Sequence, residues 1–414
     1  MTFKIITLGC KINAYESQAL KEQLLALNYK EVDDTSAEYV FVNTCAVTST
    51  AEKKDFKVVR EISRDYKNAK IIVMGCSSQL HKDKYLSIQN VYKVYGTSKR
   101  HQIVEELSSE NHDCVVDNSR LFKYDNLNIS FAEHEVRAYI KIQDGCNNFC
   151  SYCIVPYSRG VSRMRDKDDI LNEAKRLIDN GYKELVISGI DVGSYYAPSN
   201  PKYRLKHLLK DLLEISNKEY RIRVSSIESS QIDEEYIYLF KNNPDKLCPH
   251  FHIPLQSGSE KILKLMNRKY DLEYFKKMTD LIKKEVKNVA LSTDVITGFP
   301  GEDEEEFRKT FEFIKEVGFM RIHAFPYSER PNTVAATLPN SVDKSIRSKR
   351  TKELIELSEK LDRDFRLKLK GNKVKVLIES KVEDGLYKGY SENYLECYVK
   401  SDVDIVSKFI EYEI

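Results

Sequence analysis

The sequence predicts an α/β chain in three parts: an N-terminal open parallel α/β sheet, a central partial β/α barrel and a small C-terminal β-barrel. Three observations predict it. Strand-like apolar runs alternate with helix-length amphipathic stretches through the first third, and six further strand–helix units follow. The last ~40 residues instead break into short β segments punctuated by Gly and Asn. A length of 414 residues suits two or three domains. The expected boundaries are 1–112, a linker at 113–135, a barrel at 136–342, a connecting helix at 343–370 and the β-barrel at 371–414.

Phe3–Leu8, Tyr39–Thr44, Lys70–Gly75 and Val91–Tyr95 read as strands, with helices at Tyr15–Leu27 and Ala51–Tyr66. Strands joined by helices of this length make right-handed βαβ units and a parallel sheet. Such sheets bind ligands beyond the carboxyl ends of their strands. The barrel strands are expected at Arg137–Ile142, Glu184–Ser188, Arg221–Ser225, His250–Ile253, Val289–Val295 and Phe319–Ala324. Between them lie helical patterns such as Lys167–Asp179, Leu205–Ser216, Leu272–Lys284 and Glu304–Val317. A long basic helix over about 343–370 precedes β segments at Lys373–Glu379, Leu386–Tyr390, Leu395–Lys400 and Phe409–Tyr412.

Net charge is +2, so any affinity for nucleic acid must come from local patches. The clearest runs from Asp343 to Lys373, with eleven Lys or Arg against six Asp or Glu; a solvated, ion-paired helix reads the same way. No apolar run approaches the roughly 18 residues of a membrane helix, and Met1–Cys10 lacks the plan of a signal peptide. A cytoplasmic protein with reduced thiols and no membrane partner is expected.

The nine cysteines carry the chemistry. Cys146, Cys150 and Cys153 lie on one loop after the first barrel strand. Three thiolates there suit three irons of a four-iron cluster and leave the fourth open. Zinc normally takes four ligands, and no fourth Cys or His follows within 20 residues; structural thiols are the third alternative. Cys10, Cys45 and Cys76 each close a strand-like run in the N-terminal sheet, where they converge on one edge or serve as buried core thiols. Cys114, Cys248 and Cys397 stand alone and are expected to be structural.

The CxxxCxxC spacing resembles the signature of the radical S-adenosylmethionine superfamily. That resemblance implies a cluster whose open iron chelates S-adenosylmethionine and whose electron releases a deoxyadenosyl radical. Thr7-Leu8-Gly9-Cys10-Lys11-Ile12-Asn13 with Glu16, Val42-Asn43-Thr44-Cys45 and Val73-Met74-Gly75-Cys76 resemble the N-terminal domain of the methylthiotransferases. In that family the three cysteines hold a second four-iron cluster, which binds the sulfur to be methylated and transferred. Pro156–Gly160 with Arg163 and Arg165, Ile187–Gly193, Ser225–Glu228, Pro254–Ser259 and Thr293–Glu302 match the family's barrel loops. The resemblance implies Gln256, Asp294, Glu228 and Gly189 as cofactor-binding candidates; turn or strand caps are the plain alternative.

Residues 373–414 resemble a TRAM domain, a small RNA-binding β-barrel, where Tyr387, Tyr390, Tyr394 and Tyr398 are candidates for stacking on bases. Gly-Cys-Lys-Ile-Asn at Cys10 and His323–Arg330 are most similar to the bacterial threonylcarbamoyladenosine branch. The implied reaction is methylthiolation of carbon two of that adenosine beside the anticodon of tRNA, with two 4Fe–4S clusters and S-adenosylmethionine. An electron donor such as flavodoxin or ferredoxin and a sulfur donor are implied partners. Arg159, Arg163, Arg330 and Lys11 are candidates for a cationic wall facing the threonyl carboxylate. Isopentenyladenosine in tRNA, a ribosomal-protein aspartate, and a zinc-containing RNA-binding module are the competing readings.

Overall fold

The computed structural model describes residues 1–108, 116, 123–132 and 136–414. Most of the expected linker, and Cys114 with it, lies outside the described residues.

The N-terminal sheet is fully parallel, in the spatial order Lys30–Glu31, Thr2–Thr7, Tyr39–Thr44, Lys70–Gly75, Val91–Val94. The two-residue edge strand escaped the sequence pattern because it is too short to show a period. Tyr39–Thr44 is buried at every position, as a strand covered on both faces must be. Phe41, Ile72 and Met74 face Leu20 and Leu24 of helix Lys11–Ala26. Val40, Val42 and Val73 face Phe56, Val59 and Ile62 of helix Ser49–Asp65. Each such side chain contributes about 1.5–3 kcal/mol by leaving water.

Six parallel strands follow in sequence order as two three-stranded sheets. Arg137–Lys141, Glu184–Ser188 and Arg221–Val224 form one; His250–His252, Ala290–Thr297 and Arg321–Pro326 form the other. A bridge between Ile222 and Leu247 leads from one to the next. The helices behind them begin on side-chain caps: Asp233, Asp271 and Asp303 each accept a backbone N–H of the first turn.

The C-terminal segment is a four-stranded antiparallel sheet in the order Glu396–Lys400, Leu386–Tyr390, Lys373–Glu383, Phe409–Glu413. Two register shifts in the long strand Lys373–Glu383 curl it into a half-barrel. The sheet sits on the amino ends of the first barrel strands. Arg221 donates to the carbonyls of Lys375 (2.7 Å) and Tyr390 (2.9 Å), and Arg223 to those of Glu392 (3.0 Å) and Ser391 (3.2 Å). Both arginines also hold the buried Glu184, at 2.5 and 2.7 Å.

This docking corrects the reading of the tyrosines. Tyr390 and Tyr394 stack on each other at 5.1 Å, Tyr394 stacks on His250 at 4.8 Å, and Arg137 lies over both tyrosines. Tyr387 is buried in the core of the small sheet. Only Tyr398 of the four is exposed. The ring faces of Tyr390 and Tyr394 serve the interface, where a guanidinium over an aromatic face is held by the ring quadrupole.

Candidate functional site

In-register pairing of Thr7 with Asn43, and of Thr44 with Gly75, brings three strand ends side by side. Cys10 opens helix Lys11–Ala26, Cys45 follows Thr44, and Cys76 opens helix Cys76–Leu80. Gly9 has φ +102°, and a Cβ there would stand 2.6 Å from the Cys45 Cβ, so only glycine lets the first two loops approach this closely. Asn13 ties the same loops by donating to the carbonyls of Leu8 (2.7 Å) and Thr44 (3.0 Å). Asp55 accepts the Cys45 N–H at 2.5 Å. Cys10 is exposed, and Cys45 and Cys76 are buried. Burial, then the neighbouring Cys76, pushes the Cys45 thiol up to about 12.

The second trio lies beyond the first barrel strand. Gly145, φ +69°, precedes Cys146; a Cβ there would meet the Val161 carbonyl at 2.1 Å. The Asn148 N–H donates to the Cys146 sulfur at 3.4 Å, and Arg268 Nη1 donates to the Cys150 sulfur at 3.3 Å. Burial pushes both Cys146 and Cys153 up to about 12; the neighbouring Cys150 adds to both, and Cys153 adds to the rise of Cys146. Glu228 pairs with Arg268, so this expected residue borders a cleft with Cys150, Asn148 and Gln231. Gly189 packs against Gln143, whose Oε1 accepts the N–H groups of Ile190 (2.9 Å) and Asp191 (2.8 Å). Gln256 holds φ +63°, uncommon for a side-chain-bearing residue, and bridges the fifth strand by donating its N–H to the Asp294 carbonyl at 2.8 Å. The Asp294 carboxylate meets His252 at 3.1 Å, and His323 lies 5.6 Å from His252, ring to ring. Neither His252 nor Arg268 was singled out by sequence, since neither stands in a spacing that marks a site, and His323 stood out only as the start of the His323–Arg330 match.

Residues 140–314 match the family model described as Radical SAM superfamily, and residues 2–96 the one described as Uncharacterized protein family UPF0004. The chain is 36% identical to the threonylcarbamoyladenosine tRNA methylthiotransferase MtaB of Bacillus subtilis, over 99% of this chain and 92% of that one. The chain belongs to the radical S-adenosylmethionine tRNA methylthiotransferases. The MtaB enzyme of Thermotoga maritima is 37% identical over 95% of this chain and 90% of its own. A tRNA-2-methylthio-N(6)-dimethylallyladenosine synthase of Thermoanaerobacter sp. is 36% identical over 91% of this chain and 82% of its own. Among solved structures, the radical S-adenosylmethionine methyltransferase TsrM of Kitasatospora setae shares the fold, with a TM-score of 0.58 at 13% identity over 81% of this chain and 77% of that one.

This methylthiotransferase is an enzyme acting on tRNA, and 4Fe–4S chemistry and S-adenosylmethionine belong to its family. The zinc-containing RNA-binding module is thereby set aside. Both trios fit an iron–sulfur group: each offers three thiols, a left-handed glycine beside the first of them, and a guanidinium aimed at one sulfur. Among the described residues no three His, Cys, Asp or Glu side chains close around a single ion. A four-iron cluster bonds each thiolate through a different iron, so its ligands stand further apart than those of one zinc.

The two trios meet through a buried cluster of charges that the sequence did not announce. Glu16 accepts from Arg100 (2.8 Å), Lys141 (2.7 Å) and Arg159 (3.0 Å); Asp144 accepts from Lys141 (2.7 Å), Arg159 (3.0 Å) and Arg163 (2.8 Å). Burial pushes both carboxyls up, but the surrounding cations outweigh it and hold both below the ordinary range. This corrects the expected cationic wall. Arg159 and Arg163 are locked in that cluster, and Arg330 is buried against Glu52. Lys11 alone of the four is exposed, 5.8 Å from the ring centre of Tyr139. Cys248 and Cys397 are buried thiols in the core.

Proposed function

We propose that this enzyme methylthiolates carbon two of threonylcarbamoyladenosine beside the anticodon of tRNA. Cys146, Cys150 and Cys153 would hold one 4Fe–4S cluster, and Cys10, Cys45 and Cys76 a second. When bound, the clusters and S-adenosylmethionine supply the radical and the methylated sulfur. The chain's own part is to orient and to exclude water. Glu228 holds Arg268 against Cys150, and Gly189 leaves room beside Gln143. Gln256 follows the strand His250–His252 and Asp294 lies within the adjacent strand Ala290–Thr297, three residues before its carboxyl end, on the side of the catalytic face of such a barrel, where they would meet the cofactor's polar groups.

Lys11 carries the choice of substrate. It follows Cys10, lies over Tyr139 of the first barrel strand, and is close enough to add to the lowering of His323, which burial leads. An exposed ammonium beside Cys10 and the first barrel strand suits a carboxylate and gives nothing to a dimethylallyl group. The dimethylallyl reading keeps its claim from relatives of equal identity. The C-terminal half-barrel and the basic helix Lys344–Leu369 would bear the tRNA. Among the described residues no helix is long and apolar enough to cross a membrane. We place the enzyme in the cytoplasm beside its tRNA, with a flavodoxin or ferredoxin and a sulfur donor as partners.

Mass spectrometry of tRNA nucleosides from a deletion strain tests this. Restoring the gene should return the 2-methylthio form of threonylcarbamoyladenosine, and Lys11→Ala should lower kcat/KM by roughly tenfold to a hundredfold, the loss of about 1.5–3 kcal/mol from one charged hydrogen bond. Return of the dimethylallyl nucleoside instead would refute it.

A further inference from the structure

We propose that Arg159 is a positioning residue for the Cys10–Cys45–Cys76 site, and that the buried charges around it set that site's reduction potential. This rests on the reading that those three thiols hold a cluster. Arg159 Nε donates to the Cys76 sulfur at 3.1 Å, Nη2 donates to Asn13 at 2.9 Å, and Nη1 reaches both Glu16 and Asp144 at 3.0 Å. Every donor face of the guanidinium is therefore fixed, and it is 1% exposed. It ends the helix Val155–Arg159, which starts just after Cys153, while Asp144 stands two residues before Cys146. One side chain thus spans the boundary between the trios, bonded to a sulfur of one and carried by the loop of the other.

The charges do not balance. Among the described residues Arg100, Lys141 and Arg159 share two carboxylates, Glu16 and Asp144, and Arg163 also draws on Asp144, whereas the neighbouring Arg165 and Glu173 pair one to one at 2.5 Å. Arg100 Nε and Nη2 meet no acceptor among the described residues. An iron–sulfur cluster on three thiolates becomes more negative when it takes an electron. Surplus positive charge in a dry interior, and an N–H donated to a ligating sulfur, both favour that reduced state.

The test uses the full chain with Cys146, Cys150 and Cys153 changed to Ala, reconstituted anaerobically, so that only the N-terminal cluster remains. Its midpoint potential is read by redox titration followed by electron paramagnetic resonance. Arg159→Gln is expected to move the midpoint down, and Glu16→Gln, which removes a carboxylate from the same cluster of charges, to move it up. A residue that only held the fold would not produce opposite signs. Unchanged midpoints, or shifts of one sign in both variants, overturn the proposal. Where Arg159→Gln takes up no iron, Glu16→Gln decides alone: an upward shift supports the proposal, and none or a downward one overturns it. A parent that takes up no iron overturns the two-cluster reading itself, and the inference with it.

Discussion

One thiol trio of this enzyme is local and the other is topological. Cys146, Cys150 and Cys153 sit within eight residues of one loop, so a short stretch of chain places them. Cys10, Cys45 and Cys76 are 35 and 31 positions apart, and only the register of three parallel strands brings them together. The local site should tolerate damage elsewhere, whereas the topological site shares the fate of its sheet.

The largest effect expected separates the two outright. Changing Cys146, Cys150 and Cys153 to Ala should abolish cleavage of S-adenosylmethionine, while changing Cys10, Cys45 and Cys76 should spare cleavage and abolish sulfur insertion. Quantifying 5′-deoxyadenosine alongside the methylthiolated nucleoside reads both; cleavage by the first variant would break the distinction.

Next comes damage to the sheet alone. Ile72 is fully buried between the strand ends and the helices, so Ile72→Ala should cost about 2–5 kcal/mol. Its iron content should fall by half with cleavage retained, measured by iron assay and deoxyadenosine yield. Loss of both clusters together would show that the sites are not independent.

Gly9→Ala sharpens the point at one residue. Its φ of +102° and the 2.6 Å approach of the new Cβ to Cys45 strain the loop by about 1–3 kcal/mol. Gly181→Ala also strains its backbone, at φ +98°, but meets no atom within 4 Å. Thermal melts should show loss in both variants, and absorbance of the N-terminal cluster should fall only in the first.

The smallest effect concerns how the two halves are held. Burial pushes Glu52 up, but His81 and Arg330 outweigh it and hold the carboxyl down to about 2, from an ordinary 4.5. Its folded value is depressed, so its stabilisation is present above about 4.5 and is lost as pH falls towards about 2. Melts of the cluster-free chain and of Glu52→Gln should differ most near neutrality and converge in acid. A gap that widens on acidification would contradict the assignment.

The same contrast explains what the sequence made legible. The barrel strands were readable because short strand-like runs recur between amphipathic helices, and Cys146–Cys153 because ligand spacing is local. The N-terminal trio needed the family resemblance, since three strand ends announce a shared edge but not a shared site. The charge cluster was illegible: Glu16, Arg100, Lys141, Asp144 and Arg159 come from separate elements, and nothing in a linear pattern tells a buried charge from a solvated one. Arg159 and Arg163 looked like a cationic wall for the substrate for that reason, and Tyr390 and Tyr394 looked like RNA contacts because only docking of the half-barrel reveals their partners.

Counting iron and inorganic sulfide in the anaerobically reconstituted wild-type chain tests the account at its root. Two trios with one vacant corner each predict about eight irons and eight sulfides per chain. About four of each, or zinc in their place, would contradict it.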